Sequence, residues 1–261
     1  MELIVTAAIA PLVAAPSIRA EQVSQLLLGE TAEQLEQGGE WRRVRAARDN
    51  YEGWLHVGYA IEREPEQTAA WRDRARARSE GAVLAADGHR VRLPLGARVE
   101  LTAGGARLPD GRGGELVQGR VTAAASLAAA ARAETPEDWA LTRFEGAPYE
   151  WGGITPWGVD CSGLVQATFG ARGTALPRDS SQQSEAGEPV PLDRIAPGDL
   201  LFFRSESGSA AITHVAFYAA GDALVHSTLA CGGVLIESFA PGSRAGALRD
   251  RLVAARRMEP R

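Results

Sequence analysis

Short apolar runs broken by turn residues fill the first half of the chain, a pattern of small strands rather than long helices. Ile4-Val5-Thr6 is β-branched and reads as a first strand. Leu26-Leu27-Leu28 stops at Gly29-Glu30, and Trp41-Arg42-Arg43-Val44-Arg45 forms another short run. Asp49-Asn50-Tyr51-Glu52-Gly53 turns into Trp54-Leu55-His56-Val57. Residues 62 to 80 are charged and arginine-rich with Pro65 inside, which predicts a connector with a helical turn in it. Val83-Leu84, Val91-Arg92-Leu93, Arg98-Val99-Glu100-Leu101 and Gly114-Glu115-Leu116-Val117 then repeat the strand-and-turn spacing. Two related small barrels are expected.

The pattern changes after residue 123. Ala123 to Ala133 is alanine-rich and predicts a helix or a linker. Thr135-Pro136-Glu137-Asp138 is a helix start, with a capping side chain, proline at the first helical position and two acids in the first turn. That helix should end near Glu145, before Gly146-Ala147-Pro148. Cys161 to Ala171 predicts a second helix, with Leu164, Val165 and Phe169 in its buried stripe. Strands are expected at Leu200 to Phe203, Thr213 to Ala219, Ala223 to Thr228 and Gly233 to Phe239, with a hairpin turn at Gly221-Asp222. Helices followed by an antiparallel sheet give an α+β region.

Composition narrows the function. The 261 residues carry a net charge of -5, and no basic face points to nucleic acid. All 28 basic residues are arginine. No apolar run reaches the roughly 18 residues of a membrane span, so no membrane insertion is expected. Met1 to Ala15 is mildly apolar but lacks a basic start, carries Glu2 and is broken by Pro11 and Pro16; the strand reading is preferred to a signal peptide. The two cysteines, Cys161 and Cys231, are too few for a disulfide scaffold. Four histidines without clustered cysteines or carboxylates give no zinc pattern, so no metal and no cofactor are expected.

The chemistry lies in the second half. A thiol nucleophile needs a lowered pKa, a base and a group that orients the base. Cys161 stands where a loop enters a helix, so the helix dipole favours its thiolate. Gly152, Gly153, Gly158 and Gly163 leave room for close approach. His214 follows Cys161 by 53 positions (214 minus 161), and His226 follows His214 by 12 (226 minus 214). Strands joined at Gly221-Asp222 bring the two histidines to similar height. His214 is then the base and His226 its orienter. Against this stands the ordinary reading, in which a buried cysteine is a small hydrophobe.

Five motif groups in order resemble the NlpC/P60 family over residues 145 to 230. They are Pro148-Tyr149-Glu150-Trp151-Gly152-Gly153, Asp160-Cys161-Ser162-Gly163-Leu164-Val165, Leu176-Pro177-Arg178-Asp179-Ser180-Ser181-Gln182-Gln183, Pro197-Gly198-Asp199-Leu200-Leu201-Phe202-Phe203, and the pair Thr213-His214-Val215-Ala216-Phe217-Tyr218 with Leu224-Val225-His226-Ser227. Gln25 to Glu30 and the turn Tyr51-Glu52-Gly53-Trp54 resemble bacterial SH3-like domains. The resemblance implies an α+β papain-like catalytic domain, helices plus antiparallel sheet, preceded by two small all-β SH3-like barrels. The expected division is 1–62 for the first barrel, 63–126 for connector and second barrel, and 127–261 for the catalytic domain. The second barrel lacks the aromatic turn, with Gly111-Arg112-Gly113-Gly114-Glu115 in its place.

The same resemblance implies a cysteine peptidase of cell-wall recycling. It would cut the γ-D-glutamyl-L-diamino acid bond of muropeptides with a free N-terminal L-alanine. The implied setting is cytoplasmic and the protein monomeric, with no partner beyond the muropeptide. Family roles fall on Cys161 as nucleophile, His214 as base and His226 as third member. Asp160, Ser162, Ser180 and Arg178 match substrate-contacting positions, Asp160 facing the L-alanine ammonium. Tyr51 and Glu30 match SH3-like residues that reach the site. Tyr149 matches an oxyanion donor beside the Cys161 main-chain N–H. Asp160 reads equally as a helix cap, and Arg178 and Asp179 as a local ion pair. His56 and His89 read as structural, and Cys231 matches no catalytic position. Two other readings stand beside this one: a secreted or periplasmic hydrolase of intact wall, and a non-catalytic wall-peptide-binding module.

Overall fold

The apolar side chains of the first 129 residues sort into two strand-wrapped cores and a smaller cluster of Ile4, Trp71 and Ala75. The computed structural model describes residues 1–206 and 209–259. The chain divides into two compact units, Met1–Ala129 and Ala130–Arg261. In the first unit β1 (Glu2–Val5), β2 (Ile9–Val13), β3 (Gln22–Leu27), β4 (Thr31–Gly38), β5 (Trp41–Ala46), β6 (Glu52–His56) and β7 (Ala60–Arg63) form one antiparallel sheet. Its order is β3-β2-β6-β5-β4-β1-β7. Leu3, Val5, Leu12, Leu26, Val44 and Leu55 close its core.

The arginine-rich stretch is more than a connector. It forms the ten-residue helix α1 (Pro65–Arg74). Pro65 starts it, and Gln67 Oε1 accepts from the Glu64 backbone N–H at 3.2 Å. Charge disguised it, because most of the helix faces water while Thr68 and Trp71 are buried. Trp71 Nε1 donates to the Gly29 carbonyl at 2.8 Å.

A second sheet follows: β8 (Ala77–Ser79), β9 (Val83–Ala86), β10 (His89–Arg92), β11 (Arg98–Thr102), β12 (Gly105–Arg107), β13 (Gly113–Gln118) and β14 (Val121–Ala123). The order is β10-β9-β13-β12-β11-β8-β14. Strands β8, β12 and β14 are three residues each, too short to leave a hydrophobic pattern. The two sheets share a seam. Leu28 belongs to the second core beside Leu84, Leu93 and Val99. Its carbonyl accepts from Arg98 N at 2.8 Å. Gly29 has φ +78°, and a Cβ there would fall on the Arg98 carbonyl oxygen.

Helix α2 (Ala124–Arg132) realises the alanine-rich stretch as helix. The second unit holds α3 (Pro136–Phe144), the two-stranded β15 (Ile154–Thr155) and β16 (Gly158–Val159), α4 (Cys161–Ala171) and the one-turn α5 (Ser180–Gln183). Its main sheet runs β17-β22-β18-β19-β20-β21. These strands are β17 (Glu188–Pro189), β18 (Leu200–Arg204), β19 (Ile212–Ala219), β20 (Ala223–Thr228), β21 (Gly233–Ser238) and β22 (Leu252–Arg257). Strand β22 was not expected; it pairs with β18, and its Arg257 grips the buried Asp199 carboxylate at 2.8 and 2.9 Å. Both faces of β18 are covered. Helix α4 packs on one side, with the Phe169 and Phe217 rings 6.0 Å apart. Leu201, Phe203, Ala216, Leu224 and Phe239 pack on the other. No helix of the described residues is long and apolar enough to cross a membrane.

The Gly29 seam is testable. Gly39 also has positive φ, but a Cβ there meets nothing. Gly39→Ala should cost about 1 kcal/mol, the left-handed backbone term alone. Gly29→Ala should cost about 3 kcal/mol or more, since the Arg98 carbonyl must also move. Equal urea-unfolding midpoints for the two variants would contradict a seam at Gly29.

Candidate active site

Cys161 is the first residue of α4, and the turn before it is held by one buried carboxylate. Asp160 is the N-cap, with its Oδ1 accepting from Gly163 N at 2.7 Å. Oδ1 also accepts from Ser162 Oγ at 3.2 Å, and Oδ2 from Gly152 N at 2.8 Å. Arg178 completes the set with a two-pronged contact, Nη1 to Oδ1 at 3.1 Å and Nη2 to Oδ2 at 2.5 Å. Arg178 Nη1 also donates to Ser162 Oγ at 2.7 Å. Gln183 Nε2 ties the Ser162 and Pro177 carbonyls at 3.0 and 2.9 Å. Gly163 lies so close to the Gly153 carbonyl that a Cβ would fall on the oxygen.

These contacts correct two expectations. Asp160 is 5% exposed and met from four directions, so its carboxylate has no face left for a substrate ammonium. Its work is capping and pairing. Arg178 reaches back to Asp160 rather than to its neighbour Asp179.

The two histidines come from β19 and β20. These strands pair from Phe217↔Val225 to Ala219↔Ala223, and the ladder ends there. Beyond it His214 and His226 share a face with their rings 5.1 Å apart. His214 Nε2 is 2.9 Å from His226 Nδ1. Phe203 packs beside His214 at 5.8 Å. The far nitrogen of His226, Nε2, is 2.9 Å from Glu237 Oε2 on β21. Arg244 holds that carboxylate, Nε to Oε1 at 2.9 Å and Nη2 to Oε2. The sequence reading missed both Glu237 and Arg244. A signal existed for Glu237: the β20–β21 ladder pairs Leu224 with Glu237, which puts the acid diagonally opposite His226 on the same face.

Tyr149, Cys161, His214 and His226 line one cavity of about 500 Å³, with Arg244 and Arg251 on its wall. Ser162, Arg178 and Ser180 do not line it; Ser162 and Arg178 are buried in the Asp160 cluster, and Ser180 opens α5 half-buried. Tyr51 and Glu30 belong to the first unit. Glu30 is buried there rather than solvated at its turn, with Oε2 accepting from Leu27 N at 2.9 Å and from Arg48 at 2.7 Å. Tyr51 is half-buried, and its N–H donates to Asp49 Oδ1 at 3.1 Å. His56 caps a short turn through Nδ1, His89 is exposed on β10, and Cys231 is an exposed thiol. Among the described residues no cluster of three metal-ligating groups exists.

Burial governs the titration of this site. It pushes the Cys161 thiol up to about 11, reinforced by the Asp160 charge. Hydrogen bonds from the Val215 and Ser162 N–H groups and the Arg178 charge pull the other way and are outweighed. The helix dipole therefore does not make a free thiolate here. Burial drives His214 down to about 3, with His226, Arg251 and Arg244 adding to it. It drives His226 down to about 4, helped by Arg244. Thiol and imidazoles are thus neutral at rest.

The comparisons with known proteins fit this geometry. The NlpC/P60 family profile matches residues 146–251. Every residue lining the cavity lies inside that stretch. The second unit is an NlpC/P60 domain. A second profile, described as the bacterial dipeptidyl-peptidase Sh3 domain, matches residues 12–58. A Bacillus subtilis (strain 168) protein named gamma-D-glutamyl-L-lysine dipeptidyl-peptidase is 50% identical over 84 residues, 32% of this chain and 28% of that protein. The probable endopeptidase NlpC of Escherichia coli K12 is 39% identical over 93 residues, 35% of this chain and 60% of its own length. The chain thus matches about a quarter of the first of these relatives. The solved structure of an NlpC/P60 family protein from Bacillus cereus ATCC 10987 superposes with a TM-score of 0.81 over all of both chains, at 21% identity. The fold is therefore a papain-like α+β domain preceded by small SH3-like barrels.

Two outcomes test the NlpC/P60 site as described. Arg178→Leu strands the buried Asp160 carboxylate and should destabilise the second unit by about 3–5 kcal/mol, read by chemical unfolding. The second concerns pH. A histidine depressed in the folded state stays neutral while its unfolded form takes a proton below about 6.5. Stability is then present above that pH and is lost as pH falls toward the folded value near 4. Between pH 7 and 5 His226 should account for about 1–2 kcal/mol of the loss. The loss should shrink by that amount in His226→Gln; an unchanged slope would exclude a neutral buried His226.

Proposed function

We propose that the chain is a cysteine endopeptidase acting on the γ-D-glutamyl-L-diamino acid bond of short muropeptides with a free N-terminal L-alanine. The observation that carries the reading is the His214–His226 contact in the cavity that Cys161 lines. The match to the Bacillus subtilis gamma-D-glutamyl-L-lysine dipeptidyl-peptidase supports the substrate class. The cytoplasmic setting expected for recycling is part of the same proposal.

In this reading the Cys161 sulfur attacks the γ-carbonyl carbon of D-glutamate as its proton passes to His214. Attack and proton transfer go together, because burial disfavours either charge alone. The carbonyl oxygen becomes an oxyanion, met by the Cys161 main-chain N–H and the Tyr149 hydroxyl. Burial, with the Cys161 and Asp160 charges, pushes the Tyr149 hydroxyl up to about 12, so it stays a donor at neutral pH. The tetrahedral intermediate collapses as His214 returns the proton to the amine of the leaving diamino acid. A thioester to Cys161 remains. Water, deprotonated by His214, attacks it and releases L-Ala-D-Glu with the thiol restored.

The assay is direct. L-Ala-γ-D-Glu-diamino acid peptide should yield L-Ala-D-Glu, and the N-acetylated peptide should be a poor substrate. Cys161→Ala should abolish turnover. Tyr149→Phe should lower kcat by about 100-fold, the usual loss for one oxyanion donor. Equal turnover of blocked peptide or of intact peptidoglycan would reject the recycling substrate.

A further inference from the structure

His226 lies between two partners, and only one placement of protons satisfies both and leaves His214 able to act as a base. Its Nε2 faces Glu237 Oε2 at 2.9 Å, and its Nδ1 faces His214 Nε2 at 2.9 Å. An ionised carboxylate accepts and has nothing to donate. His226 therefore carries its hydrogen on Nε2. A neutral imidazole has one donor and one acceptor nitrogen, so His226 Nδ1 is bare and accepts. His214 must then donate from Nε2, which leaves its own Nδ1 bare. That nitrogen is the one left to take the Cys161 proton. The opposite polarity is equally neutral and equally bonded between the two rings. It puts hydrogen on His226 Nδ1 and hence on His214 Nδ1, where a base cannot work. Nothing in the two rings themselves separates these states; Glu237 does.

We propose that Glu237, pinned by Arg244, is a positioning residue that sets the direction of the proton chain through His226 and His214 to Cys161. The inference rests on the peptidase reading of the site. Arg244 has a definite part. It takes both oxygens of Glu237, fixing the carboxylate in plane and offsetting its charge. Glu237 is thus an oriented acceptor rather than a proton sink. The side chain is 13% exposed, so water competes weakly for it. The charged and titratable groups around the pair are Glu237 on β21, Arg244 and Arg251 after it, and Tyr149, Cys161 and Glu206 across the cavity.

The first measurement uses the unaltered protein. Histidine 15N shifts at pH 7 should report both His214 and His226 as Nε2–H tautomers. A hydrogen on Nδ1 of His226 would overturn the proposal whatever any variant does. The second measurement compares Glu237→Leu with Glu237→Gln. Leu removes the acceptor, whereas Gln keeps the shape but can turn an NH2 toward His226 Nε2. If Glu237 only fills space, Gln is the milder change. If it sets proton direction, Gln is at least as damaging, and its His226 shifts toward Nδ1–H. Both variants should lower kcat and the rate of Cys161 alkylation by iodoacetamide at pH 7 about tenfold or more, with KM within about twofold. Wild-type alkylation rates and shifts in Glu237→Gln would refute it. Alkylation and 15N shifts do not depend on the peptide, so a wrong substrate assignment fails the cleavage assay while leaving these readouts intact.

Discussion

The buried Asp160 carboxylate is the constraint from which the rest of the site follows. A carboxylate taken out of water costs several kcal/mol unless it is paired and hydrogen-bonded. Here it is closed by the Arg178 guanidinium, two backbone N–H groups and the Ser162 hydroxyl. Each of those partners is a piece of the site. Gly152 belongs to the turn that follows Tyr149, Gly163 and Ser162 form the first turn of α4, and Arg178 leads into α5. Satisfying one charge therefore fixes three segments at once, and Cys161 stands at their meeting point. The glycines are part of the same geometry: the first turn of α4 sits against the Gly153 carbonyl with no room for a side chain.

The second half of the site is a property of a sheet that stops pairing. While β19 and β20 are bonded, their side chains are spaced by the ladder. Past Phe217 and Val225 the ladder ends, and two imidazoles meet edge to face in its place. The strand β21 stays bonded to β20 along its length and so carries Glu237 to the outer nitrogen of His226. Cys161 meets this edge across the cavity that it lines together with His214 and His226. The helix contributes the thiol and the sheet the imidazoles to one cavity.

Much of this was legible in the sequence, for identifiable reasons. The helix Cys161–Ala171 and the hairpin about Gly221-Asp222 came from local signals, a cap and a turn, and both glycine and aspartate at that turn take positive φ. The histidine pair followed from hairpin spacing. What escaped was set by distant partners. The helix at Pro65–Arg74 reads as charged coil because its anchors are distant: Trp71 bonds Gly29, 42 residues away, and Arg72 pairs with Glu2. Strand β22 exists because β18 needs covering on its second edge. Asp160 resembled a substrate ligand because nothing local reveals that Arg178 arrives from 18 residues downstream. Glu237 was overlooked for want of carrying the hairpin argument one strand further.

Burial also inverts a common expectation about thiol reactivity. A cysteine at a helix start is ordinarily expected to be acidic. In this site desolvation and the neighbouring Asp160 charge prevail, and the thiol is held neutral against a neutral imidazole. Such a pair is quiet until something enters the cavity and stabilises negative charge on an oxygen. In the proposed reaction the proton passes from sulfur to His214 as the oxyanion forms, so that neither ion is left alone in a dry site. The arrangement ties reactivity to a bound carbonyl rather than to ambient pH. It also makes the direction of the imidazole chain decisive, since a neutral base works only if the nitrogen facing the thiol is the bare one.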